Sequence, residues 1–261
     1  MSSQSANIPH SHVDSTRLPV VVAVTGASGT AYAIRLLQAL LSQSVAVELV
    51  ISDAAREVCA HELGRPFPAG TAPLNEWEEF LQAALNGQSP AAAEPTAVRQ
   101  PGSRASAEAV AHWGFQQRII SFRCSTAASP SIPLLRLHSH RSFSGGIASG
   151  SYRTRGMVIC PCSMGTLAAV AAGLSTNLIH RAADVHLKER RPLLLVPRET
   201  PFSPLAFENM SRLSAAGAVV LPAAPGFYHR PASIADLVDF VVARICDHFG
   251  VDCQLMQRWG S

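Results

Sequence analysis

The sequence predicts an α/β fold, a doubly wound parallel sheet with helices on both faces in one domain. Three observations point to it. A continuous β-branched run, residues 18–25 (LPVVVAVT), is followed by a small-residue turn, Gly26-Ala27-Ser28-Gly29, and then by apolar residues at helical spacing. A second run, 45–52 (VAVELVIS), follows that helix, the opening of a doubly wound sheet. After residue 156, strand and helix patterns alternate to the end of the chain.

Taken in order, Tyr32, Ile34, Leu36, Leu37, Leu40 and Leu41 mark the first helix, and residues 53–64 a second. Residues 87–107 (GQSPAAAEPTAVRQPGSRASA) have no apolar period and read as a flexible insertion. Short strands are expected at 119–122 and 134–137. Residues 142–155 are rich in Gly and Ser. A strand at 157–161 leads into helices at 163–172 and 177–190, broken at Gly173. A strand at 193–197, a helix at 204–216 with Gly217 as its C-cap, and a strand at 218–222 follow. The last helix, 233–249, opens on Ser233 with Asp236 three residues on. The expected organisation is a disordered tail at 1–17 and one domain over 18–261, with the insertion at about 86–130.

Composition narrows the function. The chain has 261 residues, of which 48% are apolar and only 15% charged, against a norm of about 25%. This argues against global disorder. No run approaches the ~18 apolar residues of a spanning helix, so no membrane partner is expected. A net charge of +3 is too small to suggest nucleic acid. The scarce charge hints at surface covered by copies of the same chain. Six scattered cysteines with no C-x-x-C pair suggest no metal site and a reducing, cytoplasmic setting. Residues 1–16 lack the apolar core of a secretory signal.

Ligands of such sheets bind beyond the carboxyl ends of the strands, where strand order reverses. The strands at 18–25 and 157–161 are the natural neighbours there. Each is followed by a small, hydroxyl-bearing loop at a helix N-terminus, Gly26–Gly29 and Cys162-Ser163-Met164-Gly165-Thr166. Free N–H groups and the helix dipole favour an anion at such points. The loops lack the G-x-G-x-x-G spacing of a dinucleotide site and any G-x-x-x-x-G-K-[ST] motif. Ser163 lies outside a G-x-S-x-G elbow. Asp53 reads as a helix N-cap rather than a ribose ligand, and Ser52 beside it would serve a smaller ligand. Arg198 and Glu199 lie at the ligand-side end of their strand. Arg181 has Asp184 as an i,i+3 partner. Arg190 and Arg191 suit a helix C-terminus. Arg244, near the stripe Leu237, Phe240, Val241 and Ile245, would snorkel or meet a buried anion. Tyr228 follows the last strand with a hydroxyl donor. Cations around an apolar pocket suit a phosphate ester with a greasy tail.

The GASG turn and the stretches VICPCSMGTLAAVAAG, NLIHRAADVHLKERRPLLLVPRETPF, ENMSRLSAAGAVVLPAAPGFYHRP and DLVDFVVARI resemble the UbiX-type flavin prenyltransferases, over about residues 19–62 and 134–259. The resemblance implies a Rossmann-like, three-layer αβα subunit that binds FMN. It implies transfer of a dimethylallyl group from dimethylallyl monophosphate to reduced FMN without a metal, giving prenylated FMN for UbiD-type decarboxylases. It further implies dodecamers whose active sites are shared between subunits. By position, it assigns Gly26, Ala27, Ser28, Ser52, Ser163, Met164, Gly165, Thr166 and Arg181 to FMN. Lys188, Arg198, Tyr228 and Arg244 match the prenyl-phosphate groups. Ser28 and Glu199 match residues that manage protons, with Arg198 and Lys188 completing the catalytic set. Phe143 stands before Ala148-Ser149-Gly150-Ser151, where the family usually has a tryptophan against the prenyl group, and is the weaker cation–π partner. Flavin-dependent cysteine decarboxylases share the fold, but their P-x-M-N-x-x-M segment is absent. A flavin carrier without catalysis is the other alternative.

Overall fold

The computed structural model describes residues 18–85 and 134–257. The expected tail, the 86–130 insertion and the strand expected at 119–122 lie outside them. Six strands form one sheet: β1 (Val20–Val24), β2 (Val47–Ile51), β3 (Leu135–Ser139), β4 (Gly156–Cys162), β5 (Leu193–Pro197) and β6 (Val219–Val220). Their order is β3-β2-β1-β4-β5-β6, every adjacent pair parallel. Order reverses between β1 and β4, as expected.

Seven helices accompany these strands among the described residues: α1 (Thr30–Ser42), α2 (Asp53–Leu63), α3 (Leu74–Ala83), α4 (Met164–Ala171), α5 (Leu178–Lys188), α6 (Pro204–Ala215) and α7 (Ile234–His248). Alternate strand residues feed two cores. Val20, Val22 and Val24 face α1, α2, α3 and α7, whereas Val21 and Ala23 face α4, α5 and α6. Burial on both sides is why β1 and β5 read as unbroken apolar runs.

The helix starts are written locally. Ser52, Ser163, Asn177, Ser203 and Ser233 each accept a hydrogen bond from a first-turn amide, and Ser233 with Asp236 forms a capping box. Asp53 is therefore not the cap expected of it. Ser52 caps α2, and Asp53 is the first helical residue.

Two further expectations are corrected. The strand expected at 218–222 shrinks to two residues, although Leu221 and Ala223 still donate to Leu195 and Pro197. Pro222 between them has no N–H to continue a ladder. Helix α3 was not expected, yet it buries Trp77, Phe80 and Leu81, and Phe67 stacks on Trp77.

Helix α1 is buried almost all round, so its polar residues need internal partners. Arg35 grips the Asp239 carboxylate of α7 through two bonds of 2.6 and 3.3 Å. Arg35 also donates to Gln38, which donates to the Leu81 carbonyl of α3. This chain of bonds locks the helix that carries the β1 turn.

A candidate site at the carboxyl ends of the strands

Four strand ends, those of β1, β2, β4 and β5, and three helix starts, those of α1, α2 and α4, lie where β1 meets β4. Thr25, at the end of β1, donates its hydroxyl to the Pro161 carbonyl (2.9 Å) and accepts from the Ser163 amide (2.8 Å). One buried side chain thus fixes both small-residue loops relative to each other. Ser52 joins them from β2, its amide donating to the Val24 carbonyl. Gly26 packs directly on α2, and a Cβ there would lie 2.6 Å from the Ala54 methyl. Only glycine permits this approach.

The two loops differ in what they leave open. At α1 the expected anion position is already taken. Glu62, reaching from α2, accepts from the amides of Gly29 and Thr30 at 2.8 and 2.7 Å. The expectation of a free helix start after β1 is therefore corrected. At α4 the Ser163 hydroxyl accepts only from the Thr166 amide, so Met164 and Gly165 keep N–H groups that helix geometry leaves without intrahelical partners. A Cβ at Gly165 would meet nothing within 4 Å, so this first turn looks onto open space. The start of α2 is capped by Ser52 and already carries the Asp53 carboxylate in its first turn.

Cations flank this crevice. Arg198, at the end of β5, donates through Nε to the Ser28 carbonyl at 3.2 Å. Its charge is felt at Tyr32, whose hydroxyl burial and Cys160 push up while Arg198 pulls down. Glu199 beside it is exposed and accepts from the Thr200 amide. Arg181, in the first turn of α5, donates to the Ala148 carbonyl (3.0 Å) and to Asp184 (2.8 Å). Phe143 lies in the loop after β3 with 48% of its surface exposed. Burial pushes the Cys162 thiol up to about 12 and Cys160 higher still, so neither supplies a thiolate nucleophile at neutral pH.

The remaining expected residues lie elsewhere in the chain. Helix α5 starts beside the end of β3, where the Leu178 amide donates to His140, and runs down to Lys188 near the start of β5. Lys188 therefore sits at the opposite edge of the sheet from Arg198, paired with Glu189. Arg244 neither snorkels into the core nor meets a buried anion. It is exposed toward the end of α7 and pairs with Asp247 at 2.9 Å. Tyr228 is half exposed, edge-on to Phe240 at 5.7 Å. Its neighbour His229 stacks on the same ring, and both imidazole nitrogens are buried without a hydrogen-bond partner among the described residues.

Residues that sequence reasoning missed are Glu62, which neutralises the α1 start, Tyr32 beneath Gly29, and the unpartnered His229. Only tertiary packing reveals Glu62, since it reaches 32 residues back along the chain. Among the described residues no group of His, Cys, Asp and Glu is gathered as a metal site.

Comparison with known proteins agrees with this geometry. The Flavoprotein family model matches residues 8–246. The flavin prenyltransferase UbiX of Pseudomonas aeruginosa is 42% identical over 93% of this chain and 94% of its own length. That of Synechocystis is 39% identical over 92% and 95%. Among solved structures, AnUbiX in complex with FMN and dimethylallyl pyrophosphate superposes with a TM-score of 0.65 at 32% identity, covering 94% of this chain and 98% of that one. A dodecameric FMN-dependent UbiX-like decarboxylase from Escherichia coli O157:H7 gives 0.63 at 32% identity, covering 94% and 100%. An αβα sheet with two small-residue loops clamped at its reversal, matched at this identity along nearly its whole length, makes the chain a member of the flavoprotein family and, within it, of the UbiX flavin prenyltransferases.

Proposed function

We propose that this chain binds reduced FMN and transfers to it the dimethylallyl group of dimethylallyl monophosphate. The observation that carries the reading is the crevice in which Arg198 meets the Ser28 turn beside the open start of α4. The residues fit a phosphorylated flavin. Small side chains at Gly26, Ala27 and Gly165 leave room, and Ser28, Ser52, Ser163 and Thr166 offer hydroxyls. The open amides of Met164 and Gly165 and the Arg181 guanidinium suit an acceptor-rich, anionic ligand.

When bound, reduced flavin supplies the nucleophilic ring positions that take up the allyl group. The chain's own residues do the rest. Arg198 stabilises the negative charge that grows on the phosphate as its bond to the allyl carbon breaks. Phe143 presents an aromatic face to the allyl cation and keeps water away from it. Glu199, an exposed carboxylate at the same strand end, accepts a proton released later, and the Ser28 hydroxyl relays one.

Lys188, Tyr228 and Arg244 serve the prenyl phosphate of a neighbouring subunit, in an assembly that we infer to be a dodecamer. Supporting this is the placement of Lys188 and Arg198 at opposite edges of the sheet. The product serves a UbiD-type decarboxylase in the cytoplasm. Five buried free thiols among the described residues support a reducing compartment. No helix among the described residues is long and apolar enough to cross a membrane.

Incubation with reduced FMN and dimethylallyl monophosphate, followed by mass spectrometry of the extracted flavin, tests the reaction. One added dimethylallyl unit is expected, and unmodified flavin with both the monophosphate and the pyrophosphate donor overturns it. Arg198→Ala is expected to lower turnover by about 100-fold or more while FMN remains bound. Loss of FMN with unchanged turnover per bound flavin would show that Arg198 serves the wrong ligand.

A further inference from the structure

Behind the loop that carries Phe143 lies a closed polar cluster that no part of the proposed reaction uses. Glu48 is the only acid pointing inward from β2, and its side chain is 5% exposed. In the parallel register with β3 it stands opposite Arg136, with His138 two residues on along the same face. His138 Nε2 lies 2.5 Å from one carboxylate oxygen. The other oxygen accepts from the Tyr152 hydroxyl and from Arg136. Arg136 also donates to the Tyr152 hydroxyl, which closes the ring of bonds.

Burial opposes a charge at Glu48, yet the bonds from His138 and Tyr152 and the Arg136 charge outweigh it and hold the carboxyl below its usual range. Burial and the same carboxylate push Tyr152 up to about 12, so its phenol stays protonated and donates. A buried carboxylate with three donors is a strong anchor, because each bond is charge-assisted.

What it anchors is the loop from β3 to β4. The backbone of that loop lies directly on the two rings that Glu48 holds. A Cβ at Gly145 would come within 2.7 Å of the His138 ring, and one at Gly146 within 2.6 Å of the Tyr152 ring. Phe143 is two residues before this contact. The Gly146–Ala148 turn follows it and ends at the carbonyl that receives Arg181. The aromatic wall and the flavin-side arginine are thus tied to one carboxylate on the sheet.

We propose that Glu48 is a positioning residue for the prenyl-transfer site, acting through His138 and Tyr152 on the Phe143 loop. This rests on the reading of Phe143 and Arg181 as site residues. Hydrogen–deuterium exchange of the full chain and steady-state kinetics, on wild type, Glu48→Ala, Glu48→Gln and Tyr152→Phe, test it. Glu48→Ala is expected to speed exchange of residues 142–152 about tenfold, with the β1 and α1 peptides unchanged. The specificity constant for dimethylallyl monophosphate should fall by a similar factor. Glu48→Gln keeps an acceptor oxygen and should recover part of both effects. Tyr152→Phe removes one bond at the loop side and carries the same test if Glu48→Ala does not fold.

Unchanged loop exchange in Glu48→Ala overturns the proposal. So does a loosened loop with an unchanged specificity constant, or loosening spread equally over the sheet. A wild type that transfers no prenyl group is a different failure. It overturns the reading of the site itself, and the positioning role with it.

Discussion

The Thr154 hydroxyl and the Ala182 carbonyl hold His186 between them, at 2.8 Å from Nε2 and 2.6 Å from Nδ1. The ring is fully buried, and burial pulls its pKa down from 6.5 to about 4. From about pH 6.5 down to about 4, the unfolded chain binds a proton here that the folded chain refuses. Stability therefore falls on acidification through this window and is fully present above it. The loss between pH 7 and 5 from this residue is expected to be about 2 kcal/mol. Denaturant unfolding at both pH values checks it, with His186→Gln expected to flatten the dependence. An equal slope in wild type and variant would assign the acid lability elsewhere. Residue identity alone announced a histidine in a helix. Its neutrality comes from burial, helped by the Arg191 charge, while Thr154, 32 positions away, completes its hydrogen bonding.

At the scale of elements, local chemistry explains why the helices start where they do. Ser233 sits immediately before an apolar-periodic run and its cap was legible from spacing, whereas the cap of α2 was read one residue late, at Asp53 instead of Ser52. Helix α3 was missed, although Trp77, Phe80 and Leu81 follow one helical face, because the proline-rich approach to it masked the period. How α1 is fastened was not legible. Its Arg35 is 3% exposed and its partner Asp239 1%, some two hundred residues apart. Truncation of one partner leaves a buried charge uncompensated. Asp239→Ala is therefore expected to cost about 3–5 kcal/mol in denaturant unfolding. A loss below about 1 kcal/mol would mean that Gln38 and nearby polar groups already satisfy Arg35. Because α1 carries the Ser28 turn, FMN affinity is expected to weaken in the same variant.

At the scale of the whole molecule, the two edges of the sheet divide the proposed site. Ser28, Arg181, Arg198 and Phe143 gather at the carboxyl edge, and Lys188 sits at the other. On the proposed reading, one subunit supplies part of its own site and part of a neighbour's. Mixing inactive Arg198→Ala with inactive Lys188→Ala subunits, after dissociation and reassembly, is expected to restore measurable prenyl transfer. No recovery in properly assembled mixtures would place both residues in the same site. Light scattering is expected to give a mass many times that of one chain, and a fully active monomer would contradict the shared site. Leu205, Phe207 and Phe227 are large apolar side chains left exposed in the single chain, which such an assembly can cover.

The sequence by itself determined the layer order, the reversal point between β1 and β4, and the helix starts other than those of α2 and α3. These depend on apolar period, on glycine in turns and on caps within three residues, all of which are local. The family also could be read there, because long stretches such as NLIHRAADVHLKERRPLLLVPRETPF are continuous in the chain. Tertiary structure alone decided which helix start is open to a ligand. Glu62 closes α1 across 32 residues, while nothing of the kind reaches Gly165 among the described residues. It alone separated Lys188 from Arg198 and placed Arg244 on the outside. Whether a charge is free, neutralised or facing a neighbour depends on chain crossings that no short window of sequence contains.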